Sequence, residues 1–151
     1  MAIETILVAV GSEETEQLDR LTQTVIDIAG PAGATVELLH IFTDAAFDTA
    51  VDRLKIADRR EASADRVARQ LTSIREMVKR IDETDISSTV SGAIGDHADE
   101  VVAHAVATDA DLLIVGGRRR SPAGKAVFGS TAQAIMLGAP CPVTFVQSSA
   151  E

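Results

Sequence analysis

The feature that most limits how this chain can fold is a set of short, unbroken apolar runs separated by segments of a different period. Residues 3 to 10, IETILVAV, end in a Val- and Ile-rich run without polar alternation. A strand of this kind is buried on both faces, as in a parallel sheet covered by helices. Parallel neighbours cannot be joined by a tight hairpin, so each needs a crossover, usually a helix. The spacing supplies them. After Gly11 and Ser12, the acidic residues Glu13, Glu14 and Glu16 suit a first helical turn, and Leu18, Leu21, Val25 and Ile28 recur at three- and four-residue steps. Gly30-Pro31 is read as the end of that helix.

The same alternation continues. Residues 34 to 42, ATVELLHIF, form a second strand, and residues 43 to 49 a loop. One long helix is expected from about Thr49 to Ile81, with Ala64, Val67, Leu71, Ile74, Val78 and Ile81 as its apolar stripe. The more polar run ISSTVSG, 86 to 92, suits a strand near a sheet edge. Asp96 is an N-cap candidate for a helix burying Ala98, Val101, Val102 and Ala105. DLLIV, 111 to 115, is a fourth strand; a helix spans Ser130 to Leu137, and PVTFVQ, 142 to 147, is a fifth strand. The expected fold is therefore an α/β single domain over residues 1–151: an open five-stranded parallel sheet with helices on both faces. Ligands of such sheets bind at the carboxyl ends of the strands, where the strand order reverses. If the first and fourth strands are neighbours there, the turns at Gly11 and Gly116 share one cleft.

Composition narrows the function. Asp and Glu total 23 against 14 Lys and Arg, giving a formal net charge of −9. An acidic surface repels nucleic acid and anionic membranes. With no Trp or Tyr and four Phe, there is little aromatic surface for stacking bases. Few lysines beside many carboxylates resemble salt-adapted, halophilic proteins; an ordinary acidic cytosolic protein fits the composition equally well. The single Cys141 allows no internal disulfide and reads as a structural thiol beside the last strand. His40, His97 and His104 lack metal-ligand spacing and read as structural. No nucleophile–base pair stands out, so no catalytic residue is assigned. The start MAIETILVAV lacks a basic leader, and no run approaches the roughly 18 apolar residues of a membrane span, so the expected location is cytoplasmic, without membrane insertion.

The densest positive charge lies in residues 116 to 131, GGRRRSPAGKAVFGST. Glycines after a buried strand let a backbone turn sharply and a ligand come close. Gly129, Ser130 and Thr131 precede or open a helix and offer amides and hydroxyls to an anion. Two readings of Arg118, Arg119, Arg120 and Lys125 stand together: an anion cradle, or a solvated loop paired with the acidic surface.

This loop resembles the signature of universal stress proteins: a glycine after the fourth strand, two residues, a second glycine, nine residues, then Gly-Ser or Gly-Thr. Gly116, Arg119 and Gly129-Ser130 occupy those positions, with arginine in place of the second glycine. TILVAV, ELLHIF, DADLLIVG and APCPVTFV are similar to the family's flanking segments, so the resemblance covers essentially the whole chain. It implies an adenine nucleotide alpha hydrolase-like fold and a small dimeric stress-response protein binding ATP or a related adenine nucleotide with Mg2+, hydrolysing it slowly if at all. Carried over, Val10 and Gly11 line the site from the first strand and Ile41 from the second. Val115 and Gly116 meet the ribose side, and Gly129, Ser130 and Thr131 hold phosphates. The family's first strand usually ends in Asp; here Gly11 stands in that place, or the Asp is deleted. Arg119 either grips a phosphate or fills its space. The resemblance also implies a homodimer through the C-terminal strand. The rival reading is a member without nucleotide, acting as a scaffold or regulator through a protein partner. An adenylyl-transfer or flavoprotein enzyme on the same fold is disfavoured by the absent catalytic constellation and the single-domain length.

Overall fold

A computed structural model describes residues 2–11, 15–54, 63–117 and 130–147. Five strands, β1 (Thr5–Ala9), β2 (Thr35–Phe42), β3 (Ser88–Ile94), β4 (Leu112–Gly117) and β5 (Val143–Gln147), form one sheet. All pair in parallel, in the order β3-β2-β1-β4-β5. The helices are α1 (Thr15–Ala32), α2 (Asp44–Arg53), α3 (Ala64–Gln70), α4 (Thr72–Asp82), α5 (His97–Ala107) and α6 (Ser130–Gly138).

The unbroken apolar runs have the expected cause. Ile6 and Val8 of β1, Val36 and Leu38 of β2, and Leu112 and Ile114 of β4 join α1 and α4 in one core. The intervening Leu7, Leu39, Ile41, Leu113 and Val115 join Ala98, Val101 and Ala105 of α5 and Ile135 of α6 in a second core. Each central strand therefore has two buried faces, and polar alternation has no place in it. β3 forms one edge of the sheet, in keeping with its polar composition. At the start of β1, the Asp111 carboxylate accepts from the Glu4 and Thr5 amides at 2.9 and 3.0 Å, which ties β1 to the head of β4.

Three expectations about helices are corrected. The segment 43 to 49 is not a loop. Thr43 caps α2, its Oγ1 accepting from the Ala46 amide at 3.1 Å, and the helix begins at Asp44. Nor does one helix run from Thr49 to Ile81. α3 and α4 are separate, and Leu71 between them is extended (φ −66°, ψ 138°); residues 55–62 lie outside the described residues. The break has a packing reason. Val67 and Ala68 of α3 bury against Phe42, Phe47 and Val51, whereas Ile74, Met77 and Ile81 of α4 enter the α1 core. The regular stripe thus serves two clusters, and Leu71 packs against both. Finally, α1 does not stop at Gly30-Pro31 but carries Pro31 within it and ends at Ala32. The stop is at Gly33 (φ 67°), where the Ala34 amide reaches Ala29 C=O and the Gly33 amide reaches Gly30 C=O. This paired closure needs a left-handed residue just past the helix. α5 closes identically, with Ala110 to Ala105 and Asp109 to Val106, but places Asp109 at the left-handed position (φ 53°).

α3 also closes the β3 edge. The Gly92 amide, which points away from β2, donates to the Asp65 carboxylate at 2.7 Å. A Cβ at Gly92 would run into the Ala64 carbonyl. The helix lies so close that only glycine fits, and it takes up an edge donor that a foreign strand would otherwise use.

Two stability predictions follow from these contacts. Gly92→Ala forces α3 off the edge and lowers unfolding free energy by about 1–3 kcal/mol, measured by denaturant titration; an unchanged midpoint would contradict the close approach. Asp109→Gly relieves the left-handed strain and raises stability by about 0.5–1 kcal/mol in the same assay, whereas a loss would show that the Asp109 side chain compensates.

Candidate functional site

The carboxyl ends of β1, β2 and β4 lie side by side. Ala9 pairs with Leu39 on one side and Val115 on the other, so Val10 stands level with Gly116. β1 and β4 are direct neighbours, and from them the order runs to β2 and β3 one way and to β5 the other. The reversal point therefore lies between the ends of these two strands, where open parallel sheets place their ligands.

Val10 is buried, and its amide donates to Leu39 C=O at 2.8 Å, the last rung between β1 and β2. In a regular parallel ladder the next donor onto Val10 C=O is the Ile41 amide. Here the His40 ring supplies the bond instead, with Nδ1 at 2.8 Å from that oxygen. The Phe42 ring meets the His40 ring edge-on at 4.5 Å between centroids, and Phe47 meets Phe42 in the same way at 5.5 Å. Burial pushes the His40 imidazole below its ordinary value, the bond to Val10 opposes this, and nearby His97 adds to the lowering.

A cavity of about 850 Å³ opens beside Gly11. Among the described residues it is lined by the β2 end (His40, Phe42), by α2 (Ala45, Ala46, Thr49, Ala50, Arg53, Leu54), by Leu18 and by the α3–α4 junction (Gln70, Leu71, Thr72, Ser73, Glu76). Its volume is in the range of small-molecule sites. The walls combine apolar surface with hydroxyls, an amide and one charge of each sign.

Val10, Gly11, Ile41, Val115 and Gly116 come together at the strand ends. Gly11 borders the cavity, while Ile41 and Val115 turn to the opposite core with α5 and α6. Ser130 and Thr131 open α6 and are exposed. Arg119 and Gly129, with Arg118, Arg120 and Lys125, lie outside the described residues. His40, read as structural, bonds the β1 end through Val10 C=O and also borders the cavity. The alternation of ELLHIF was available to place it on the opposite face from Ile41, but its bond to Val10 joins residues 30 positions apart. His104 Nδ1 lies 3.0 Å from Glu100 C=O within its own helix. Burial, followed by the Asp111 charge, raises the Cys141 thiol above its ordinary value, so it stays protonated at neutral pH. Among the described residues, no three His, Cys, Asp or Glu side chains gather as a metal site, and no helix is long and apolar enough to cross a membrane.

Comparisons with known proteins agree with this arrangement. A universal stress protein from Mycolicibacterium smegmatis (strain ATCC 700084 / mc(2)155) is 40% identical over 52 residues, 34% of this chain; the match spans only 40% of that relative's length. A solved universal stress protein in complex with cAMP covers 99% of this chain and 100% of its own, at 20% identity and a TM-score of 0.66. The universal stress protein from Archaeoglobus fulgidus in complex with dAMP covers 97% and 100%, at 19% identity and a TM-score of 0.59. At these identities the two structures bear on the fold alone. The model of the universal stress protein family matches residues 2–147, and with a parallel sheet reversing between β1 and β4 beneath that match, the chain belongs to the universal stress protein family.

Proposed function

We propose that this protein binds an adenine nucleotide at the carboxyl ends of β1, β2 and β4 and acts as a cytoplasmic, dimeric stress regulator rather than a fast enzyme. The observation carrying this reading is a cavity large enough for a nucleoside that opens between Gly11 and the β2 end, next to the adjoining ends of β1 and β4. The family's complexes with cAMP and dAMP support the same ligand class.

The residues present fit the base and sugar better than they fit a metal. Gly11 brings no carboxylate to the β1 end, so the nucleotide is held there by backbone and by the cavity wall. ATP and Mg2+ are proposed to enter together. The described residues gather no acidic cluster for the ion, so the phosphates are its main ligands. The phosphates are assigned to Gly129, Ser130 and Thr131, and Arg119 is proposed to join them as a charged donor. The homodimer is proposed to form through β5, which ends the sheet opposite the edge that α3 closes.

A second reading has its own support. α5 and α6 pack together yet expose large apolar side chains, Val106 at 63% and Leu137 at 89%. Such surface favours a protein partner, and a scaffold role without nucleotide would use it.

Isothermal titration with ATP and Mg2+, in dilute buffer and in molar KCl, is expected to give saturable heat; none at any salt concentration rejects the nucleotide reading and leaves the scaffold. Arg119→Gly is expected to weaken ATP binding about tenfold, the effect of losing one charged hydrogen bond, whereas tightening would mean that the arginine occupies the phosphate space. Light scattering at micromolar concentration is expected to give twice the 15.9 kDa chain mass, and a monomer would remove the dimer.

A further inference from the structure

We propose that His40 reads the ligand: a neutral imidazole whose proton is fixed on Nδ1 by Val10 C=O, it offers Nε2 as an acceptor to a hydrogen-bond donor in the cavity. Resting on the nucleotide reading above, the donor assigned is the exocyclic 6-amino group of adenine.

The tautomer follows from one contact. A backbone carbonyl can only accept, so at 2.8 Å from Val10 C=O the proton sits on Nδ1. A neutral imidazole has one N–H, which leaves a lone pair on Nε2. The ring's bond seen among the described residues is the one from Nδ1, and the residue borders the cavity. Phe42, packed edge-on against the ring, resists a flip that would exchange the two nitrogens. Burial favours the neutral form at pH 7. The charged and titratable groups around it are Arg53 on α2, Glu76 on α4 and His97 at the start of α5. The cavity thus holds a preset acceptor, and a ligand without a matching donor leaves it buried and unpaired. A site built to hydrogen-bond one group discriminates against the analogue lacking it.

The test compares ATP with purine riboside triphosphate, which lacks only the 6-amino group. The wild-type protein is expected to prefer ATP by about three- to tenfold, the effect of one neutral hydrogen bond. His40→Phe keeps an aromatic ring but removes both nitrogens, and the preference is expected to fall to about one. A purely structural role, holding the β1 end, would weaken both nucleotides by the same factor and keep the preference; that result overturns the proposal. The preference is also expected to fade as pH drops through the lowered His40 pKa, on the acid side of 6.5, because protonation turns Nε2 from acceptor to donor. In case the variant fails to fold, nitrogen-15 NMR of the wild-type His40 ring gives an independent reading. A pyridine-type Nε2 that shifts with ATP but not with the deamino analogue supports the assignment, and a protonated Nε2 at pH 7 overturns it. Binding of neither nucleotide to the wild type rejects the nucleotide reading itself and this assignment with it, whereas equal binding of both rejects this assignment alone.

Discussion

β1 carries more of this architecture than any other element because both its faces and both its backbone edges are taken. Its side chains alternate between two cores, and its amides and carbonyls pair with β2 on one side and β4 on the other. A strand so enclosed has no solvent to satisfy its polar backbone, so the ladder on each side must be complete until the strand ends. Where β1 ends, pairing stops on both sides at once, and the chain leaves toward α1. A cavity then opens beside Gly11 and the β2 end. The place of the cavity is a consequence of where the central strand runs out.

The two edges of the sheet are treated differently. At β3 a polar strand is closed by α3, whose Ala64 carbonyl and Asp65 carboxylate crowd and bind Gly92. This requires a short helix at that place, and a single helix continuing into α4 would not provide it. The break at Leu71 therefore does two things. It turns Val67 and Ala68 onto the aromatic cluster of Phe42 and Phe47, and it lets α4 reach the α1 core. The same junction contributes Gln70, Leu71, Thr72 and Ser73 to the cavity wall. Edge protection and the cavity wall thus share one interruption.

Much of this was legible in the chain. TILVAV and DLLIV announced strands buried on both faces, ISSTVSG an edge, and Asp96 a helix start that the Asp99 amide confirms at 3.0 Å. The adjacency of the Gly11 and Gly116 turns was expected from the reversal rule and is present in the ladder. Helix limits were read less well. The cap at Thr43 is a local signal that the apolar periodicity overrode, and Gly30-Pro31 was a stronger stop on paper than Gly33. Proline in a last turn is tolerated when the closing hydrogen bonds come from residues beyond it, as those of Gly33 and Ala34 do here.

By itself, the sequence determined the fold class and the alternation of strands with helices, because period, run length and turn residues act between near neighbours in the chain. Only the tertiary structure decided that the stripe from Ala64 to Ile81 breaks at Leu71, that Asp65 satisfies Gly92, and that His40 bonds Val10. Each depends on segments about 20 to 50 residues apart meeting at one place. Nothing in the local pattern of either partner encodes that meeting, since it arises only when both cores are packed against the finished sheet.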